Sequence, residues 1–543
     1  MRMRVLVVLV ALSGVGWAQG GGAGVGEAGV GGDLGRVVAG MLAEPEVARA
    51  QWGIAVVGMD GSAIYMRNEG QYFEPASNAK LFTTAAAMAL LGGERRFTTA
   101  VEGRGEMVGS GRLKGDLVLV GSGDANLSGR TVPYVEPKDR AKVVEGGPVM
   151  AGRGLRYLEE MADRVVATGL KRVEGDVVGD DTVFPWEPYG EDWAIEDALW
   201  GYGAPVSGLT VNDNQLKVTV APGAVVGAAG TVVVDPAMAY YGVNAAGLVT
   251  GAAGSGNHVR MDRALGSKVL RVDGVIGVDA GAEVEEVAIQ DPAEYAAMAL
   301  KEMLEARGVE VTGRSRAEHR EVRGGVGFRE ETRVPLPNLA EMAMAARSRV
   351  LPGGSGCVGG CVLRVEHVSP TVAEDVVVTN KVSQNLHAEL LLRQLGKAYG
   401  SDGSVAQGAR VVRQFVLDAG VDGEDFVLVD GSGLSGHDLV TPRAVVRLLQ
   451  YASGQTWFGD WKASLPVGGV DGGLAGRFAK GPLVGKVFAK TGTLGEARAL
   501  SGYLECASGR MVMFAIMVNH HAPHTSADRE VMDRLVAAIA AAE

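Results

Sequence analysis

The sequence predicts a multi-domain α/β protein of the α+β kind: an antiparallel sheet flanked by helices and split by a large, mainly β insertion. Three observations predict it. An apolar, Ala-rich run follows Pro75 and stops at Gly92-Gly93, the pattern of a helix buried inside a domain. From about 98 to 350 the texture changes to short alternating runs rich in Val, Gly and Thr. Helical periodicity then returns, and strand-like runs at 486–491, 499–505 and 510–518 continue one another as an antiparallel set.

In chain order, Met1-Arg2-Met3-Arg4 is a basic start, 5–15 a short apolar core, and Gly16-Trp17-Ala18 a small-x-small cleavage site. Residues 1–18 therefore read as a secretory signal peptide cut after Ala18, and the mature chain is expected to be exported to the periplasm. The apolar core is too short to span a bilayer. Residues 19–33 are a Gly-rich leader. The first part of the sheet-and-helix domain, 34–97, opens with a helix at 34–42. Runs at 53–59 and 62–67, joined by Asp60-Gly61, read as a hairpin. The helix after Pro75 comes next.

The insertion, 98–350, contains strands at 114–120 and 173–178, a helix at 155–168 and a cluster of tryptophans and acids at 184–200. A turn-rich stretch at 201–209 leads into a β region at 211–289, and a helix at 292–307 stops at Gly308. Two subdomains are compatible with this pattern. The second part of the main domain, 351–543, has helices at 371–382 and 386–399 with Ser383-Gln384-Asn385 at their junction. Further helices are expected at 403–419, 442–452 and 526–542, with a turn-dense loop at 430–435.

A formal charge of −12 over 543 residues argues against nucleic acid as a partner and shows no polybasic membrane patch. No later stretch has transmembrane length, and no cysteine follows the signal to carry a lipid, so membrane association is at most peripheral. Of the three cysteines, Cys357 and Cys361 flank a Gly-rich loop and fit either a small disulfide or two free thiols, while Cys506 reads as a buried apolar residue. No histidine lies at ligand spacing, so neither metal nor other cofactor is expected.

Ser77 and Lys80 stand three apart at the start of the buried helix, which puts hydroxyl and amine on one face. That is the arrangement of an activated nucleophile. A Ser-x-x-Lys spacing nevertheless arises by chance about once in a chain of this length. Two downstream motifs, in this order, give it weight: Ser383-x-Asn385 on a loop between helices, then Lys490-Thr491-Gly492 at a strand end. Alone, Ser383 and Asn385 read as helix caps and Lys490 as a strand-end charge.

With these motifs the chain resembles the low-molecular-mass class C penicillin-binding proteins, the D-alanyl-D-alanine carboxypeptidase/endopeptidase family of serine peptidases. The segments Gly121-Ser122-Gly123-Asp124, Tyr202-Gly203-Ala204-Pro205-Val206-Ser207, Asp430-Gly431-Ser432-Gly433-Leu434-Ser435 and 464–472 carry the same resemblance. So does the 306-position separation of Ser77 from Ser383. The resemblance implies a β-lactamase/transpeptidase-like fold for the sheet-and-helix domain. It implies peptidoglycan stem peptides as substrate and β-lactams as covalent inhibitors.

Residue by residue, the resemblance implies that Ser77 attacks a penultimate D-alanine carbonyl and Lys80 is the base. A free lysine titrates at about 10.4, so it must be lowered to accept a proton near neutral pH; a second ammonium close by, plus burial, would do that, and Lys490 is the candidate. Ser383 would shuttle a proton to the leaving amine, and Asn385 would hold the substrate amide. The N–H groups of Ser77 and Thr493 would form the oxyanion hole. Gly492 would let a substrate backbone lie along the strand edge, and the hydroxyls of Thr491 and Thr493 suit a terminal carboxylate. Asp180 resembles a substrate-side position, although a solvated acid pair with Asp181 fits equally. The family's basic residue after the Ser-Gly-Leu-Ser loop is replaced here by Gly436, with His437 next. Two other classes share these motifs: a β-lactamase, and a catalytically silent penicillin-binding envelope module.

Overall fold

The computed structural model describes residues 33–136, 154–322, 325, 327–348 and 361–543. The expected signal peptide, the leader before Asp33 and Cys357 lie outside them. Cys361 is disulfide-bonded, and Cys506 is a buried free thiol.

The main domain is built on a five-stranded sheet in the order Val487–Leu494, Ala497–Glu505, Met511–Asn519, Gln51–Gly58, Ala63–Arg67, antiparallel throughout. The strand Met511–Asn519 is apolar at nearly every position because both of its faces are covered. Val512, Phe514, Ile516 and Val518 face a layer formed by the first and last helices, Asp33–Leu42 and Ala527–Ala542. Met513, Ala515 and Met517 face the larger helical layer, which includes Ala79–Ala86, Asn385–Tyr399 and Pro442–Ser453. The buried run after Pro75 is one helical rod of three kinds. A 3-10 turn spans Ala76–Asn78, an α-helix Ala79–Ala86 and a π turn Ala87–Leu91, ended by Gly92 at φ 87.

The inserted segment forms two units. In the first, Arg112–Val120 pairs antiparallel with Thr98–Val108 and parallel with Arg172–Val173 and Val177–Pro185. The helices Arg156–Ala167 and Pro292–Ala306 bury their apolar faces on this sheet. In the second unit, two three-stranded sheets between Gln215 and Ala288 enclose a core of their own.

The passage back to the main domain differs from the expected cut at 350. The helices Phe328–Thr332 and Leu339–Ser348 precede it, yet Leu339 and Ala343 belong to the main helical core. The strand Leu363–Val368 comes after it, yet pairs with Thr98–Val108 in the inserted sheet. Local pattern cannot show this, because the pairing joins residues more than 250 positions apart.

The insertion docks against the helix Asn385–Tyr399. Phe184 packs on Leu386 and Leu390, and Arg393 donates to the Glu187 carbonyl at 2.7 Å. Among the described residues no helix is long and apolar enough to cross a membrane, and no group of three or more His, Cys, Asp or Glu is placed to hold a metal ion.

Candidate active site

Ser77 lies on the 3-10 turn, just after Ala76 at φ 45, a left-handed conformation that costs a non-glycine residue. Two glycines hold that turn. A Cβ on Gly433 would stand 1.8 Å from the Ala76 carbonyl oxygen, and one on Gly492 would stand 2.4 Å from that of Pro75. The space on that side of Gly492 is therefore filled by the turn that carries Ser77.

Lys80, one turn on, is fully buried. Its Nζ donates to Ser77 Oγ at 2.8 Å, Asn385 Oδ1 at 2.6 Å and the Ser432 carbonyl at 2.6 Å. These three acceptors account for the three donors of an ammonium. An amine that has lost one proton keeps the Asn385 and Ser432 bonds and turns a lone pair toward the Ser77 hydroxyl. Burial pushes Lys80 from 10.5 down to about 7, against the pull of Asp430, Glu389 and Asp438.

Opposite, Lys490 is also fully buried and donates to Ser383 Oγ at 2.8 Å and its neighbour's carbonyl, Thr491 O, at 2.9 Å. Burial, and then the charge of Lys80, pushes it well below 10.5. Burial is the larger cause at both amines, and the repulsion between them is mutual. No carboxylate hydrogen-bonds either amine among the described residues, so no direct ion pair offsets the burial of either.

The sequence motifs converge because three elements meet. Asn78, next to Ser77, donates to the Lys490 carbonyl at 3.0 Å and so ties the first motif to the third. Ser383 sits at φ 63 on the turn before the helix Asn385–Tyr399, and Gln384 caps that helix by accepting from the Leu386 N–H. Thr491 and Thr493 lie two apart on the sheet's edge strand, so their side chains share a face. That edge is bridged at Phe488 by Val467 before it reaches them.

Asp180 is not brought to this cluster. Its carboxylate accepts from the Thr182 N–H and hydroxyl and pairs with Arg104 at 3.3 Å. Nor do Asp180 and Asp181 form a solvated pair. Both are buried, and Asp181 accepts from Ser207 and faces His319. His437, which follows Gly436, pairs with Asp192 of the insertion.

Several contributors are not readable as functional from the sequence. Asp430 accepts from the N–H groups of Ser432, Gly433, Leu434 and Ser435 and from Trp193 Nε1, and so shapes the loop whose carbonyl holds Lys80. The dense turn residues at 430–435 are the available signal. The Tyr202 carbonyl accepts from Asn385 Nδ2 at 2.9 Å. A backbone acceptor leaves no mark in a sequence.

A serine hydroxyl against a buried amine, faced by a Ser-x-Asn turn and a second buried amine, defines an active-site-serine hydrolase with lysine in the place of the usual histidine. The chain belongs to the D-Ala-D-Ala carboxypeptidase 3 (S13) family, whose pattern matches residues 34–345 and 359–540. It is 33% identical over 493 residues to a D-alanyl-D-alanine carboxypeptidase of an Actinomadura species, covering 89% of this chain and 80% of that one. It is 24% identical to the D-alanyl-D-alanine carboxypeptidase DacB of Haemophilus influenzae, over 83% of this chain and 81% of that protein. The crystal structure of penicillin-binding protein 4 (DacB) from that organism superposes with a TM-score of 0.71 at 21% identity, covering 92% and 97% of the two chains. The fold is thus that of a multi-domain penicillin-binding protein. Membership makes the chain a serine-type D-Ala-D-Ala carboxypeptidase of the low-molecular-mass class C kind.

Proposed function

We propose that Ser77 is the nucleophile and that the substrate is the D-alanyl-D-alanine end of a peptidoglycan stem peptide. The observation that carries this reading is the convergence on Lys80, whose Nζ reaches Ser77 Oγ at 2.8 Å and Asn385 Oδ1 at 2.6 Å. Lys80 takes the Ser77 proton as Oγ bonds to the penultimate D-alanine carbonyl carbon. The C–N bond then breaks, and Ser383, hydrogen-bonded to Lys490, passes a proton to the leaving amine. Asn385 holds the substrate amide. The N–H groups of Ser77 and Thr493 receive the oxyanion, and Thr491 and Thr493 receive the terminal carboxylate. Water then hydrolyses the ester and restores Ser77. A cross-linking amine can leave by the same route, which gives D-alanyl endopeptidase activity. A β-lactam, whose strained amide takes the place of the D-alanyl bond, acylates the same serine. The structure of the Haemophilus penicillin-binding protein 4 complexed with a β-lactam supports this. The basic and apolar start of the sequence supports export to the periplasm, where that substrate lies.

Purified protein is expected to release the terminal D-alanine from a peptide ending in D-Ala-D-Ala and no terminal L-alanine from the L-Ala-L-Ala isomer. Equal cleavage of both, or of neither, would contradict the reading.

The acylation rate should also track the protonation of Lys80. Its ammonium form cannot accept the Ser77 proton, so the rate of penicillin acylation is expected to rise with pH through about 7 and level off above it. Stopped-flow measurement across that range checks it, and a rate that falls through the range would rule out Lys80 as the base.

A further inference from the structure

The helix carrying Asn385 also carries His387, which is fully buried and held by acids from two different parts of the molecule. Its Nδ1 lies 2.6 Å from Asp375 Oδ1, on the neighbouring helix Val372–Lys381. Its Nε2 lies 3.5 Å from Asp213 Oδ1, in the insertion. Asp375 accepts a further bond, at 3.0 Å, from Asn126 of the insertion.

Asp213 reaches this point through an uncommon backbone. Asn212, Asp213 and Asn214 have φ of 49, 54 and 54, three consecutive non-glycine residues in the left-handed region. Such a run persists only where its surroundings over-determine it. Asn214 Nδ2 donates to the Pro205 carbonyl at 2.8 Å. Three residues before Pro205 is Tyr202, whose carbonyl holds Asn385 Nδ2. The insertion thus grips the start of one helix at two points two residues apart, and the loop 212–214 joins the two grips.

We propose that His387, clamped between Asp375 and Asp213, is a positioning residue that lets the insertion set the orientation of Asn385 for acylation of Ser77. With both carboxylates facing it, His387 is raised to about 9 despite its burial, so it is charged at neutral pH and the clamp is ionic. Asn385 has two jobs, with Oδ1 toward Lys80 and Nδ2 toward Tyr202, so a small rotation at the start of the helix misplaces both. The proposal rests on the proposed function for Ser77 as the acylated residue and for the role given to Asn385.

The test is a double-mutant cycle read by the penicillin acylation rate of the whole protein. Asp213→Asn is expected to slow acylation by about tenfold or more in the native background, and to change it by less than about twofold in the Asn385→Ala background. An equal slowing in both backgrounds would mean a merely structural role and would overturn the proposal, as would no slowing in either. His387→Gln, which keeps hydrogen-bonding atoms at the centre of the cluster, runs through the same cycle with the same two outcomes should Asp213→Asn not fold. Normal acylation of the native protein without D-alanine release would fail the functional reading and leave this test intact.

Discussion

Ser77→Ala is expected to abolish covalent labelling by penicillin and to lower D-alanine release by at least about 10⁴-fold, the scale seen when a serine hydrolase loses its nucleophile. The loss is this large because no neighbour can replace the hydroxyl. Ser383 is tied to Lys490 across the cleft, and Asn385 is an amide. The substitution removes one acceptor from Lys80 and leaves Asn385 Oδ1 and the Ser432 carbonyl in place. The fold should therefore lose about 1–3 kcal/mol, the cost of one unmatched buried donor. Kinetics and a thermal melt of the same preparation check both halves. Substantial D-alanine release by a cleanly folded Ser77→Ala protein would remove the acyl-enzyme from the account.

Lys80→Met is expected to be the next most damaging change, lowering acylation by about 10²–10⁴-fold, the usual contribution of a positioned base. Methionine fills similar space in the buried helix but offers no lone pair at the position of Nζ. The discriminating readout is the shape of the pH profile. Native acylation should inflect near 7, the value to which burial lowers Lys80. The residual rate of Lys80→Met should have no inflection there. An inflection that survived the substitution would assign the titration to another group, with Lys490 the first to examine.

Much of the site is legible in the sequence for a specific reason. Ser77-x-x-Lys80 is a local pattern on one helix, and Ser383-x-Asn385 and Lys490-Thr491-Gly492 are local patterns at a helix start and a strand end. Turn chemistry and periodicity locate each of them. The main sheet is legible for the same reason: Gln51–Gly58 and Ala63–Arg67 pair through Asp60-Gly61, and the C-terminal strands succeed one another with short turns. The features that escape are long-range. The pairing of Leu363–Val368 with Thr98–Val108 displaces the end of the insertion, and only contact in space reveals it. The motifs point to Lys490 as a second ammonium beside Lys80, but how completely the helix start is buried shows only in the fold. Asp180 resembles a binding acid, but Arg104 and Thr182 occupy its carboxylate. The carbonyl of Tyr202 and the acids around His387 act through geometry that no motif spells out.

The most direct measurement is the site of covalent modification in the native protein. Purified chain is treated briefly with benzylpenicillin, quenched and digested, and the adduct is located by tandem mass spectrometry. A single adduct on Ser77, absent after prior incubation with a D-Ala-D-Ala peptide in excess, is the predicted result. An adduct on any other residue, or an unmodified Ser77 in folded protein, would contradict the account.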